Sequence, residues 1–149
     1  MPRESKASKQ NRMLSIIDTL KRLYPDSKCS LNYDSPFQLL VATVLSAQCT
    51  DERVNKVTKV LFQKFPKVND FITLSVDEIG KEIYSTGFYN NKAKSIKGLA
   101  LKLVNDNDGN VPGTIRELTK LPGVGRKTAN VVLGNIFNVP GIVVDTHVT

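Results

Sequence analysis

The sequence is poor in the residues that build disulfide frameworks and histidine metal sites. It contains two cysteines, Cys29 and Cys49, and one histidine, His147. The cysteines form no CxxC pair and lie far apart, so they are most simply reduced, buried thiols, and neither can form a metal site alone. A zinc site built on several histidines is excluded, because His147 has no second histidine to join it.

Long hydrophobic runs are also missing. No apolar stretch approaches the roughly 18 residues that a membrane-spanning helix needs. Residues 1–11 are polar and lysine-rich, and they lack the apolar centre of a signal peptide. We therefore expect a cytoplasmic protein without a membrane partner.

Positive charge is what the sequence has in excess, with a formal net charge of +7 at pH 7. An excess of this size favours a polyanionic partner, and nucleic acid is the first class to consider. A merely basic protein would show the same charge, so composition leaves both interpretations open. The hydrophobic fraction of 40% is ordinary for a globular protein, and 149 residues allow one domain, or one domain plus a fragment of a second.

The hydrophobic pattern is helical almost throughout, which predicts an all-α fold. Start signals such as Ser35-Pro36 and a capping box from Ser75 to Glu78 precede apolar residues at helical spacing. Residues 37–48 are apolar nearly all round and should form a central buried helix. Residues 105–112 are predicted as a polar turn and 138–144 as extended chain. The other predicted helices cover residues 13–23, a segment capped by Thr50 or Asp51, 75–87, 93–103, 114–120 and 126–137.

The most informative stretch is Leu121-Pro-Gly-Val-Gly-Arg-Lys-Thr-Ala, which lies between two predicted helices. The amides of Gly123 and Gly125 can face a phosphate at the start of the second helix, where the helix dipole also favours an anion. Such contacts bind DNA without reading its sequence. A helix–helix turn that uses glycine for packing would look similar. The residues predicted to contact DNA here are Gly123, Val124, Gly125, Arg126 and Thr128.

These residues resemble the helix-hairpin-helix of the endonuclease III family of DNA-repair glycosylases. The similarity runs from about Arg12 to the last residue. Four motifs occur in the family's order: Leu45-Ser-Ala-Gln-Cys-Thr-Asp51, Thr86-Gly-Phe-Tyr-Asn-Asn-Lys-Ala93, the hairpin, and Val143-Val-Asp-Thr-His147. The resemblance implies a six-helix domain over residues 29–140. It also implies a tail and helix of an incomplete second lobe over 1–28, and the start of a missing C-terminal lobe over 141–149.

The resemblance implies a role for four side chains. Lys127 matches the family's nucleophilic lysine and Asp145 its catalytic aspartate. Gln48 matches the residue that fills the gap left by a flipped nucleotide. Phe88 matches an apolar wedge that enters the duplex, where the family often has leucine. Each also has an ordinary interpretation from the residues alone: a solvated lysine, a helix N-cap, a capping amide and a core aromatic, respectively.

The implied function is base-excision repair. The enzyme would remove oxidised pyrimidines from double-stranded DNA and cut damaged or abasic strands by β-elimination, in association with the nucleoid. The family's mismatch adenine branch has a glutamate that residues 41–45 lack, which favours the pyrimidine branch. A non-catalytic helix-hairpin-helix module that binds DNA, inactive through loss of the C-terminal lobe, is the alternative. A plain helical interaction domain would not explain why the hairpin, Lys127 and Asp145 occur together.

The family also carries a [4Fe–4S] cluster on four cysteines near its C-terminus. Cys29 and Cys49 do not match those positions, so we expect this chain to bind no cofactor and the ligands to lie beyond Thr149.

Overall fold

The computed structural model describes residues 3–144, and all its regular secondary structure in that range is helical, which confirms the all-α prediction. The six helices predicted after residue 28 are all present, with one short helix in addition. A single turn of 3-10 helix, Tyr84–Thr86, follows α5. The α-helices are α1 (Lys6–Leu23), α2 (Pro36–Leu45), α3 (Asp51–Lys64), α4 (Val68–Thr73), α5 (Val76–Ile83), α6 (Tyr89–Asn107), α7 (Ile115–Leu118) and α8 (Arg126–Ile136).

Helix α2 is the centre of the core, as predicted. The Ser35 hydroxyl accepts a hydrogen bond from the Gln38 amide, and Pro36 occupies the first turn, so the start follows the sequence signal. All nine residues from 37 to 45 are buried, and α3, α6 and α8 pack around them. The helix ends at Leu45, three residues earlier than predicted. The next amides, those of Ala47 and Cys49, donate to carbonyls only three residues back, and Gln48 takes a left-handed φ of 51°.

Helix α6 is longer than predicted at both ends. It starts at Tyr89 and runs to Asn107, so the first part of the predicted polar turn at residues 105–112 was wrong. It stops where Asp108 and Gly109 take φ values of 53° and 80°, and the Gly109 amide donates to the Leu103 carbonyl at 2.8 Å. The polar residues at 105–107 continue the helix, and the left-handed backbone at Asp108 and Gly109 ends it.

Helix α4 was not predicted. Its sequence, Val-Asn-Asp-Phe-Ile-Thr, is short and made mostly of weak helix formers. Tertiary contacts stabilise it instead: Phe71 is fully buried, and its ring lies 5.2 Å from Phe37 and 6.3 Å from Phe65, edge to face. The Asp70 carboxylate accepts a hydrogen bond of 2.8 Å from the Lys67 amide and so caps the start of α4.

Lys97 on α6 caps the other end of α4. Its ammonium donates to the carbonyls of Ile72 at 2.6 Å and Leu74 at 2.5 Å. These carbonyls have no partner inside a helix that stops at Thr73, so a cation at this end supplies both a hydrogen bond and a favourable charge.

We expect Lys97→Met to lower the free energy of unfolding by about 1–2 kcal/mol, since it removes charged hydrogen bonds from half-buried carbonyls. Urea denaturation measures this loss, and hydrogen exchange should speed up first in α4. Lys94→Met, at an exposed position on the same helix, is the control and should change stability by less than about 0.5 kcal/mol. Equal losses from the two variants would contradict the capping role.

Helix α1 confirms the predicted N-terminal helix but buries none of its residues against residues 3–144. It starts at Lys6, with Ser5 as the N-cap, earlier than its apolar stripe suggests. The stripe is 39–65% exposed: Met13, Leu14, Ile16, Ile17, Leu20 and Leu23. The divisions after residues 28 and 140 stay predictions. Between residues 3 and 144 no helix has the length and apolar character to span a bilayer.

Candidate nucleic-acid interface

The predicted hairpin is formed by α7, the turn 119–125 and α8. Leu121 and Val124 point into the core and are nearly fully buried, so they anchor the turn from below. The Val124 amide donates to the Leu121 carbonyl at 3.2 Å, which tightens the loop between the two anchors. The buried Val124 side chain leaves only its backbone for a ligand.

The two hairpin glycines are required for different reasons. Gly123 has φ +74°, and a Cβ built on it would lie 2.7 Å from the Ser95 Cβ, so the turn is pressed against α6. Gly125 has an extended backbone, with φ −91°, and a Cβ there would meet no atom within 4 Å. Gly123 is therefore demanded by the fold, whereas Gly125 keeps the outer side of the hairpin open.

The first turn of α8 is suited to an anion. Its N-cap is Gly125, which has no side chain to cap the helix start, and the first turn holds no acidic residue. Arg126 and Lys127 are both exposed there, and Thr128 is half-buried behind them. The positive end of the helix dipole, the backbone amides of the hairpin and two cationic side chains together match a phosphate of nucleic acid.

The two residues predicted to enter a duplex are both exposed and both in left-handed backbone conformations. Phe88 has φ 47° and is 66% exposed, which excludes the interpretation that it belongs to the core. Gln48 is exposed in the turn that follows α2. Non-glycine residues with positive φ are uncommon and cluster at functional sites, because the surrounding structure must hold them there.

One cavity of about 260 Å³ connects these segments. Its wall includes the Gln48 turn (residues 46–49), the Phe88 turn (residues 86–88) and the hairpin at Gly123, which come from three distant parts of the sequence. The lining residues are Val44, Ala47, Gln48, Phe88, Asn91, Lys92, Ser95 and Gly123. The fold thus brings three of the predicted contact segments to one concave surface.

The segment after α8 turns back along that helix. The Val139 amide donates to the Leu133 carbonyl at 3.0 Å, and the Asn130 side-chain amide donates to the Ile142 carbonyl at 3.0 Å. Asn130 lies three residues after Lys127, on the same side of α8. Residues 139–142 therefore return along α8 toward its start. Asp145, the predicted catalytic aspartate, lies outside the described residues.

Sequence reasoning missed three supporting residues of this surface. Asn130 donates to the returning segment, Ser95 lies directly against Gly123 of the hairpin, and Lys92 lies buried in the cavity wall. Lys92 belongs to one of the four motifs quoted above, but its contacts join residues far apart in sequence, so nothing in the local pattern reveals its role.

The cysteines do not form a metal centre. Cys29 and Cys49 are free thiols and are half-buried, which corrects the prediction that they are buried. Across residues 3–144 no group of three or more His, Cys, Asp or Glu side chains is arranged to hold a metal ion. The residues placed by the structure therefore do not fit the four-cysteine cluster that the resemblance implies.

Known proteins share this architecture. Residues 41–149 match the family described as HhH-GPD superfamily base excision DNA repair protein. The chain is similar to the endonuclease III of Synechocystis sp., with 56% identity over 143 residues that cover 95% of this chain and 65% of that protein. It therefore spans just under two thirds of that relative's length.

Two solved structures are similar to the fold. One is a non-covalent endonuclease III–DNA complex, with a TM-score of 0.86 and 48% identity over 93% of this chain and 64% of that chain. The other is a trapped endonuclease III–DNA covalent intermediate, with a TM-score of 0.85 and 48% identity over 92% of this chain and 64% of that chain.

Proposed function

Because this chain belongs to the HhH-GPD superfamily of base excision DNA repair proteins, we propose that it is a bifunctional DNA glycosylase and abasic-site lyase that removes oxidised pyrimidines. The observation that carries the proposal is the cavity at which Gln48, Phe88 and the hairpin at Gly123 meet. A surface that only held phosphates would need the hairpin, but it would not need an exposed aromatic and an amide in left-handed turns beside it.

Duplex DNA with a damaged pyrimidine or an abasic site is the proposed partner. The hairpin amides and Arg126 hold the phosphate backbone independently of sequence. Once the damaged nucleotide leaves the stack, Gln48 fills the gap and Phe88 enters beside it as the wedge. The proposed location is the cytoplasm, in association with the nucleoid.

Lys127 is the proposed nucleophile. Its amine attacks C1′ of the damaged nucleotide, the glycosidic bond breaks, and the base leaves with the bonding electrons and a proton. Opening of the sugar ring gives an imine between Lys127 and the sugar. A proton then leaves C2′, the C3′–O bond breaks, and the 3′ phosphate departs, after which water releases Lys127. Asp145 is proposed to accept or relay a proton, or to stabilise positive charge on the sugar.

The scheme uses no metal step. Cys29 and Cys49 do not supply the four thiolates of the family's cluster, and we propose no cofactor among the described residues.

A strand-cleavage assay tests this function. Matched duplexes would carry thymine glycol, an abasic site or no damage, and would be incubated with the protein before denaturing electrophoresis. We expect cleavage 3′ to the lesion in the first two and none in the third. Binding without cleavage would select the alternative function, a non-catalytic helix-hairpin-helix protein that binds DNA. Absence of binding would contradict both functions.

Phe88→Ala should weaken binding to abasic duplex by about tenfold, and binding to intact duplex by much less, because the wedge acts only in an opened stack. Anisotropy titrations measure both affinities. Tyr84→Ala is the control, since Tyr84 is 65% exposed but does not line the cavity. A folded Phe88→Ala variant that weakens binding to both duplexes equally would show that Phe88 is not the wedge.

A further inference from the structure

Lys92 is a buried cation that the scheme above does not use. It lies in the first turn of α6 and is only 6% exposed. Its ammonium donates two hydrogen bonds of 2.9 Å, one to the Leu45 carbonyl and one to the Thr86 carbonyl. A charge is retained at such depth only when it is paired or hydrogen-bonded, so these two contacts account for its presence.

The two carbonyls belong to residues that lie just before the two proposed inserting residues. Leu45 is the last residue of α2, three positions before Gln48. Thr86 is the last residue of the 3-10 turn, two positions before Phe88. Leu45 and Lys92 are 47 residues apart in sequence. A single ammonium therefore links the turn after α2 to the turn before α6, which are distant in sequence.

A cation is chemically suited to this position. The last carbonyls of a helix lack partners and carry partial negative charge, so α2 ends on groups that favour an ammonium. Burial lowers the pKa of Lys92. Gln48 and Phe88 both hold positive φ values, 51° and 47°, which persist only when neighbouring structure fixes the backbone on either side.

We propose that Lys92 is a positioning residue that holds the Gln48 turn (residues 46–49) and the Phe88 turn (residues 86–88) in fixed register, so that both side chains enter a damaged duplex together. The inference rests on the proposed function, because the insertion it serves occurs only at a lesion. Lys92 itself does not touch the reacting atoms in this scheme.

Lys97 offers a matched control on the same helix. Its ammonium also donates to backbone carbonyls, those of Ile72 and Leu74, but these lie at the end of α4 and away from the cavity lining. Lys92→Met and Lys97→Met each keep an unbranched stem and remove an ammonium. If lower stability alone weakened DNA binding, both variants would lose affinity in proportion to the drop in their melting midpoints.

The readout is selectivity, the Kd for intact duplex divided by the Kd for the same duplex with a tetrahydrofuran abasic analogue. We expect Lys92→Met to lower this ratio by at least about tenfold, through weaker binding to the abasic duplex, and Lys97→Met to keep it within about twofold. A double-mutant cycle adds a second readout. Gln48→Ala and Phe88→Ala should be coupled in the unsubstituted chain and additive in the Lys92→Met background.

Several results would overturn the proposal: a folded Lys92→Met with unchanged selectivity, an intact Gln48–Phe88 coupling in that background, or an equal loss from Lys97→Met. If Lys92→Met is unfolded at the titration temperature, Lys92→Gln decides by the same criteria, since its shorter amide cannot reach both carbonyls. Lack of selectivity in the unsubstituted chain would contradict the proposed function itself, which separates that failure from one confined to Lys92.

Discussion

Lys127→Gln is expected to abolish the covalent complex that borohydride traps between the protein and abasic DNA, while DNA binding stays within about threefold of the unsubstituted chain. Glutamine is polar and similar in length, but its amide nitrogen cannot form an imine. Lys127 is exposed in the first turn of α8, beside the hairpin that we assign to the phosphates. The nucleophile and the backbone contact are therefore adjacent, yet separable by substitution.

Arg126→Gln is the matched control for that variant. It removes the neighbouring charge from the same helical turn and keeps the amine of Lys127. We expect weaker binding and a smaller dependence of affinity on salt, because one phosphate contact is lost, with trapping still observed at saturating protein. Denaturing electrophoresis after reduction measures both variants. A trapped band of normal intensity from Lys127→Gln would remove the proposed nucleophile.

The second large effect is expected at Gly123. A Cβ there would lie 2.7 Å from the Ser95 Cβ and 2.9 Å from its hydroxyl oxygen, at a backbone φ of +74°. Steric overlap and left-handed strain should together lower the free energy of unfolding by about 2–4 kcal/mol. Gly123→Ala should also weaken DNA binding by about tenfold, because the hairpin must move away from α6.

Gly125→Ala distinguishes an effect on DNA binding from an effect on stability. Its Cβ would meet no atom of the described chain within 4 Å, so unfolding free energy should fall by less than about 1 kcal/mol while DNA binding weakens. Ser95→Gly combined with Gly123→Ala should restore part of the lost stability, since it removes the overlapping atoms but not the strain. Urea melts and anisotropy titrations measure these effects. Equal stability losses at the two glycines would contradict the distinction.

Local signals predicted most of the fold. Caps at Ser35, Thr50 and Ser75 mark helix starts that the structure confirms, because capping is a contact between residues three apart in sequence. Helix α4 could not be found this way. Its weak helix formers are held by the buried ring of Phe71 and by Lys97, which lies 23–26 residues away.

In the candidate site, too, local features could be predicted from the sequence and contacts between distant residues could not. The hairpin is one contiguous stretch, so its glycines and cations can be identified from sequence. The roles of Gln48, Phe88, Lys127 and Asp145 came from resemblance to a family, and they stay predictions. The structure adds two supporting residues, Lys92 and Asn130. Each donates to a backbone carbonyl distant in sequence, 47 and 12 residues away respectively. Every residue has a backbone carbonyl, so the sequence does not indicate which one such a side chain will contact.

Peptide mapping of the reduced protein–DNA complex tests the central claim most directly. The protein would be incubated with abasic duplex and borohydride, digested with nuclease and protease, and analysed by tandem mass spectrometry. The account predicts that the remnant of the sugar is attached to the side-chain nitrogen of Lys127. Attachment at another lysine or at the N-terminal amine, with Lys127 unmodified, would contradict it.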